Sequence, residues 1–297
     1  MYKIAVIGAG TMGNGIAHVF AQHGFAVNLI DLHTIQLEKA MANISKNLDR
    51  QVQKGILSPE QKTDTINRIR MVEKIKDGVH DADIIIEAAT ENEDIKLRIF
   101  RELDEHALPD AILASNTSSI SITRIAAATK NPSRVIGMHF MNPVPLMKLV
   151  EIINGYGTSS NVTEKIIELS VKLGKTPCVV NDYPGFISNR ILMPMINEAI
   201  FSLQEGVASV EAIDTVTKLG MAHPMGPLQL ADFIGLDVCM AILKVMQEGF
   251  GNSKYAPATL LVNMVAAGRL GIKSGEGFYD YRSGSGNLQV SERLRKV

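Results

Sequence analysis

Tryptophan is absent from this chain, and cysteine nearly so: only Cys178 and Cys239 occur, far apart. No CxxC pair and no Cys/His cluster exists, so neither a metal site nor a disulfide framework is expected, and a reducing, cytoplasmic setting is. An excess of one charge is also lacking. Thirty Lys and Arg stand against 31 Asp and Glu, for a net charge of −1 over 297 residues. Such a chain has no long-range field for nucleic acid or a membrane surface, and any anionic ligand must be met by local cations or helix ends. Long apolar runs are missing, so no bilayer span is expected. The opening MYKIAVIG enters a strand pattern at once, without the charged and apolar regions of a leader. Neither an internal repeat nor a low-complexity block occurs. With 46% hydrophobic and 21% charged residues, the composition is that of an ordinary globular chain of one large or two modest domains.

What is present begins with a dinucleotide fingerprint. Lys3 to Ile7 reads as a buried strand, and Gly8-Ala9-Gly10-Thr11-Met12-Gly13 follows directly. A helical pattern then runs to His23 and stops at Gly24, and Val27 to Ile30 is the next strand, ended by Asp31. In this context Gly8 permits the tight turn, Gly10 lets backbone approach a pyrophosphate, and Gly13 lets helix pack on strand. The first amides of the helix, at Thr11 and Met12, can meet phosphate. Asp31 can accept from ribose hydroxyls and repels a 2′-phosphate, so NAD is favoured over NADP. FAD uses the same fingerprint and stays open at this point.

Strands and helices then alternate. A long helix from about Thr34 to Gly55 has an apolar stripe at Leu37, Met41, Ile44, Leu48 and Val52. Lys46, Arg50 and Lys54 recur one turn apart on another face, which by spacing alone is an ordinary solvated face. Asp83 to Ala88 is a strand followed by Glu91 and Asn92, and Ile95 to Ala107 is an amphipathic helix carrying Lys96. Ala111 to Ala114 is a further strand, ending in Ser115-Asn116-Thr117-Ser118-Ser119. The alternation predicts an α/β fold: an N-terminal Rossmann-type, doubly wound, mostly parallel sheet. Ligands of such sheets bind outside the strands' carboxyl ends. Glu91, Asn116, Ser118 and His139 all follow strand ends and should share one rim, although Ser118 alone could simply cap a helix.

The segment RVIGMHFMNPVPLMKLVEII, residues 134–153, reads as strand, rigid Pro turn, strand. If it folds back near Pro145, Glu151 approaches His139, and a carboxylate on one ring nitrogen makes the imidazole a base of fixed tautomer. A core His beside an unrelated Glu is the plainer possibility. Asn181-Asp182-Tyr183-Pro184-Gly185 is a turn signal, and the boundary is drawn there: residues 1–184 as the nucleotide domain, residues 185–297 as a smaller all-α domain. Helices are expected over Phe186–Glu205, kinked at Pro194, and over Val210–Leu219, Leu228–Met246 and Ala258–Ala267. Asn189 is a polar residue near the first of these. Long apolar helices in a small domain imply pairing with a second copy. The 14 methionines suit core filling, an acyl pocket or an interface. Ser283 to Asn287 reads as a flexible tail.

Four stretches, ASNTSSISIT at 114–123, GMHFMNPVPLMKLVEII at 137–153, PGFISNRIL at 184–192 and GIKSGEGFYDY at 271–281, resemble the 3-hydroxyacyl-CoA dehydrogenase family. The likeness covers nearly the whole chain, in order, and fits its short bacterial 3-hydroxybutyryl-CoA type. The resemblance implies an NAD-dependent oxidoreductase interconverting (S)-3-hydroxyacyl-CoA and 3-ketoacyl-CoA. It implies that His139 is the catalytic base, that Glu151 orients it, and that Ser118, Asn142 and Asn189 position the reacting carbonyl beside the nicotinamide. By the same likeness Asp31 binds the adenosine ribose, Glu91, Lys96 and Asn116 lie along the cofactor, and Lys273 reaches the nicotinamide side. Arg50 and Lys54, with Asn47 a turn earlier, would hold CoA phosphates, which reverses the solvated-face reading. Two departures exist. Met141 stands where the family usually has Phe, a tolerant apolar swap, and Arg50 where Lys is frequent, which keeps charge but changes geometry. A dehydrogenase of a free hydroxy or sugar acid, and a non-catalytic crystallin-like relative, are the alternatives.

Overall fold

The computed structural model describes residues 2–282 and 288–295. It forms two compact units, Met1–Tyr183 and Pro184–Val297. The first holds β1 (Lys3–Ile7), α1 (Thr11–Gln22), β2 (Ala26–Ile30), α2 (Thr34–Gln53), α3 (Pro59–Asn67), β3 (Ile69–Val72), α4 (Ile75–Val79), β4 (Ile84–Glu87), α5 (Glu93–His106), β5 (Ile112–Ser115), α6 (Ile122–Ala126), β6 (Val135–Phe140), β7 (Leu149–Asn154), α7 (Ser160–Lys172) and β8 (Thr176–Asn181).

The eight strands make one sheet in the order β3-β2-β1-β4-β5-β6-β7-β8. Strands β1 to β6 run parallel, β7 turns antiparallel to β6, and β8 runs parallel to β7. The central strands are near-continuous Ile, Val, Leu and Ala because helices cover both faces. Chain order reverses between β1 and β4, which opens a crevice at their carboxyl ends. Strand β8 is the outer edge. Its Pro177 is tolerated there, since an edge strand need not donate on both sides.

The stretch between α2 and β4 departs from the sequence reading, which placed no element there. It folds as α3, β3 and α4. Strand β3 is Ile69-Arg70-Met71-Val72, buried only at its two ends, so it has neither the alternation nor the apolar run that marks a strand. Helix α3 does carry a legible start: Ser58 and Gln61 form a reciprocal capping box ahead of Pro59.

The second unit holds α8 (Ser188–Gln204), α9 (Val210–Thr215), α10 (Pro227–Ile234), α11 (Leu236–Phe250), α12 (Thr259–Ala266) and a short ribbon of β9 (Tyr279–Asp280) with β10 (Gln289–Val290). Three expectations need correction. Helix α8 starts at Ser188, not Phe186, because Gly185 and Phe186 take φ of +78° and +50°, outside the right-handed helical region. The helix expected over Leu228–Met246 is two helices, broken where Gly235 takes φ +104°. Helix α9 gives way at Val216–Gly220 to a wider π turn. Residues 283–287, read as a tail, lie outside the described residues. Two buried carboxylates brace this unit: Asp214 accepts from the amides of Leu228 and Gln229 at the start of α10, and Asp232 from those of Phe278 and Tyr279.

Candidate active site

The turn after β1 is built by steric demand. Gly8 has φ +95°, and a Cβ on it would lie 2.6 Å from Ala89 Cα. A Cβ on Gly13 would lie 1.7 Å from the Gly8 carbonyl oxygen, so α1 sits on the turn with no room for a side chain. Gly10 is the opposite case: a Cβ there would meet nothing within 4 Å. Helix α1 begins beside that open space with no side chain capping it. Its first amides therefore lack a side-chain partner of the capping kind and adjoin open space, as an anion site at a helix start requires. The Asp31 carboxylate is held by backbone, accepting from the amides of Ala9 at 2.9 Å and His33 at 3.0 Å. A cleft of about 970 Å³ runs along these strand ends, with Asp31, Leu32, Ile75 and Ile95 in its walls. Apolar walls for a flat base, an acid for ribose and open space at a helix start fit a dinucleotide.

Further along the rim, Glu91 gathers the loop after β5. Its Oε1 accepts from Thr117 Oγ1 at 2.7 Å, Ser118 N at 2.8 Å, Ser118 Oγ at 3.0 Å, Ser119 N at 3.1 Å and Ser119 Oγ at 2.9 Å. Burial alone would raise this carboxyl's pKa, but the Lys96 charge and these donors outweigh it and leave it below the usual value. Five donors exceed what one carboxylate oxygen can serve at full strength.

Lys96 is not at the surface. Its Nζ lies 2.6 Å from Glu87 Oε2 and 3.8 Å from Glu91 Oε2, with Lys96 and Glu87 side chains 1% and 0% exposed. Sequence reading put Lys96 along the cofactor; in the structure its ammonium is buried between Glu87 and Glu91. Glu87, which also accepts from Ser115 Oγ and Ala89 N, was missed, although an acid closing the apolar run Ile84-Ile85-Ile86 is a visible signal. Asn116 is buried and its Oδ1 accepts from Phe140 N at 2.9 Å, which ties the end of β5 to the end of β6.

His139 and Glu151 are directly opposed residues of β6 and β7. Nδ1 of His139 lies 2.7 Å from Oε2 of Glu151, a fully buried carboxylate. With Nδ1 donating to that carboxylate, the lone pair is on Nε2, and the imidazole is a base held in one tautomer. Nearby, a second cleft of about 310 Å³ is lined by Lys46, Asn47 and Arg50 of α2 on one side and Asn142, Pro143 and Pro145 on the other. Lys54 caps the end of α2 and is not part of that lining, whereas Lys46 is. The second unit carries Asn189, buried in the first turn of α8, and Lys273, ion-paired with Asp237 at 2.5 Å. Among the described residues no group of three or more His, Cys, Asp or Glu side chains could hold a metal ion.

Residues 3–183 match the family description 3-hydroxyacyl-CoA dehydrogenase, NAD binding domain, and residues 185–281 match 3-hydroxyacyl-CoA dehydrogenase, C-terminal domain. The chain belongs to the 3-hydroxyacyl-CoA dehydrogenase family. Among 3-hydroxyacyl-CoA dehydrogenases it is 56% identical to the 3-hydroxybutyryl-CoA dehydrogenase of Bradyrhizobium diazoefficiens, over 94% of this chain and 95% of that one. It is 53% identical to a probable 3-hydroxybutyryl-CoA dehydrogenase of Bacillus subtilis, over 94% and 97%. The crystal structure of (S)-3-hydroxybutyryl-CoA dehydrogenase from Ralstonia eutropha superposes with a TM-score of 0.92 at 47% identity, covering 95% of this chain and 99% of that one.

Proposed function

We infer that the protein interconverts (S)-3-hydroxyacyl-CoA and 3-ketoacyl-CoA with NAD(H), with a short acyl chain such as 3-hydroxybutyryl as its substrate. The observation that carries the reading is the His139–Glu151 pair at the end of β6, on the sheet whose first turn fits a dinucleotide. Relatives named as 3-hydroxybutyryl-CoA dehydrogenases at 49–56% identity support it.

In this reading bound NAD supplies the two-electron acceptor at C3 of the substrate. Nε2 of His139 takes the 3-hydroxyl proton in oxidation and returns it in reduction. Glu151 keeps the donor nitrogen turned inward and stabilises the imidazolium once it forms. The Ser118 hydroxyl turns from Glu91 to the substrate oxygen, and Asn142 and Asn189 add amide groups around the reacting carbonyl. Gly10 and the amides of Thr11 and Met12 take the pyrophosphate. Asp31 takes the ribose, and its charge disfavours a 2′-phosphate. Glu91 borders the cofactor directly. Lys96 acts through Glu91, Asn116 through the backbone of β6, and Lys273 closes on the nicotinamide side. Asn47, Arg50 and Lys54, joined by Lys46, bind the anionic CoA portion.

A homodimer through the helical unit is part of the same proposal. It is supported by the large exposure of Ile191, Leu219, Met221 and Phe233 in that unit, at 65%, 82%, 63% and 57%. Sedimentation of the purified protein tests it, and a monomer at micromolar concentration refutes it. A cytoplasmic setting is supported by two unpaired thiols, one of them exposed. Among the described residues no helix is long and apolar enough to cross a membrane.

Spectrophotometric turnover of NADH with acetoacetyl-CoA and with free acetoacetate tests the central reading. CoA-dependent turnover at least roughly a hundredfold faster is expected, since the binding energy of a distant group is expressed at the reacting centre. Equal rates would assign the site to a free keto acid.

A further inference from the structure

Residues 141–148 join the strands that carry His139 and Glu151 and form one wall of the cleft facing α2. This turn has little backbone bonding of its own. Leu146 N and Met147 N both go to the Pro143 carbonyl, and the two prolines offer no amide. The carbonyls of Val144 and Met147 meet a single group, Nζ of Lys175, at 2.5 and 2.7 Å.

Lys175 stands between Gly174 and the first residue of β8, and it is 8% exposed. No carboxylate pairs with it among the described residues. Burial holds its ammonium below the usual lysine value. A buried cation without a counter-ion is costly, and an apolar chain of the same length would fill the space more cheaply. What the ammonium supplies is direction: it draws two carbonyls of one turn to one point, with charge-assisted bonds. The neighbouring amide, Thr176 N, donates to Lys148 O at 2.7 Å and secures the far end of the turn. From the other side the buried Val144 side chain presses on α1 at Gly15, where a Cβ would come within 2.9 Å of Val144 Cβ. Clamped from both sides, Asn142, Pro143 and Pro145 are left facing Asn47 and Arg50.

We propose that Lys175 is a positioning residue that fixes the wall formed by residues 142–145 opposite Asn47 and Arg50 and thereby sets affinity for the CoA portion of the substrate. The proposal rests on the dehydrogenase reading above. The nucleotide cleft lies at the β1 and β2 ends of the sheet, and the dyad is held by the strand ladder. Loss of Lys175 therefore loosens the 142–145 wall, chiefly the CoA side and in part Asn142, and leaves the nucleotide cleft and the dyad in place.

The test uses the full chain with Lys175→Met and Lys175→Arg. Wild-type turnover of acetoacetyl-CoA with NADH is measured first; if it is absent, the dehydrogenase reading fails and this proposal falls with it. With an active wild type, Lys175→Met should raise KM for acetoacetyl-CoA about tenfold, the loss expected for bonds to a charged group. Its kcat should fall by no more than about tenfold, the share carried by Asn142, and its NADH Kd should stay within about twofold, with Lys175→Arg intermediate in KM. An unchanged KM overturns the proposal, as does a rise in KM and NADH Kd together with a lowered Tm, which marks general loosening. If Lys175→Met does not fold, Lys175→Arg decides. A raised KM at unchanged NADH Kd supports the assignment. A wild-type KM, or failure of both variants to fold, assigns Lys175 to folding instead.

Discussion

Nδ1 of His139 lies 2.7 Å from Oε2 of Glu151, and the two residues face each other across the antiparallel β6–β7 ladder. The contact is thus set by register. A slip of one residue would send Glu151 to the opposite face of the sheet. Because the carboxylate is wholly buried, the imidazole is its natural partner, and the strand register brings the two side chains together.

That pairing separates two variants. His139→Gln should lower kcat for acetoacetyl-CoA reduction by about a thousandfold, within the range for loss of a general acid–base. Glu151→Gln should lower it by about a hundredfold, because the new amide can donate to Nδ1 and leave the proton on Nε2. NADH Kd, read by fluorescence titration, should be unchanged in both. Wild-type turnover in either variant would remove the dyad from the chemistry.

Two glycines of the first turn should fail in different ways. Gly13→Ala places a Cβ 1.7 Å from the Gly8 carbonyl oxygen, and overpacking of this kind should lower Tm by roughly 5–10 °C. Gly10→Ala meets no protein atom within 4 Å, so its Tm should move by no more than about 2 °C while NADH Kd rises at least about tenfold. Calorimetry and fluorescence titration check both. Equal NADH affinity in Gly10→Ala would mean that the open space beside α1 takes no phosphate.

The Lys96–Glu87 pair should show strong coupling. Lys96→Met leaves the fully buried Glu87 carboxylate without its cation, at a cost of about 3–5 kcal/mol. Adding Glu87→Gln removes the orphaned charge and should recover more than half of that loss. Urea unfolding of the wild type, the two single variants and the double variant measures the coupling. Additive losses would show that the pair contributes nothing as a pair.

Two buried groups should give pH dependences of opposite sign. Burial pushes the His18 imidazole down to about 4, against a hydrogen bond to Gln22 that favours the charged ring and with help from His23. Its folded value lies below the unfolded one, so its contribution is full above about pH 6.5 and is lost as pH falls through about 4. Burial pushes the Asp232 carboxyl up to about 7, with Asp214 adding to the rise and donors from Phe278, Tyr279 and Tyr281 opposing it. Its folded value lies above the unfolded one, so its contribution is full below about pH 4 and is lost as pH rises through about 7. The Tm of the wild type relative to His18→Leu should fall toward acid. Relative to Asp232→Asn it should be greatest near acid and shrink toward pH 8. Parallel profiles would assign the titrations elsewhere.

The parts of this protein legible in its residues are those whose physics is local. The run Lys3 to Ile7, the glycines at 8, 10 and 13 and the acid at 31 carry strand, turn and nucleotide preference within one short stretch. Apolar runs at 84–87, 112–115 and 135–140 announce buried parallel strands, because a strand covered on both faces needs apolar residues throughout. Strand β3 escaped that logic, since at the sheet's margin only Ile69 and Val72 are buried and the pattern vanishes. The break at Gly235 was hidden too, because glycine inside a helical pattern is tolerated until backbone geometry shows φ +104°.

Residue types and their order alone determined a doubly wound nucleotide fold and an acid that disfavours a 2′-phosphate, and the family resemblance of the same residues added NAD and the candidate His, Glu and Ser. Which charges meet was decided only in three dimensions. Lys96 turns inward to Glu87, Glu91 gathers the 117–119 loop, and Lys175 reaches back to the carbonyls of Val144 and Met147. Propensity and periodicity act over a few residues, whereas a buried charge finds its partner wherever the chain brings one, here 31 residues away for Lys175 and Val144 and 47 for Asp232 and Tyr279. Desolvation makes that partner obligatory without marking it in the sequence.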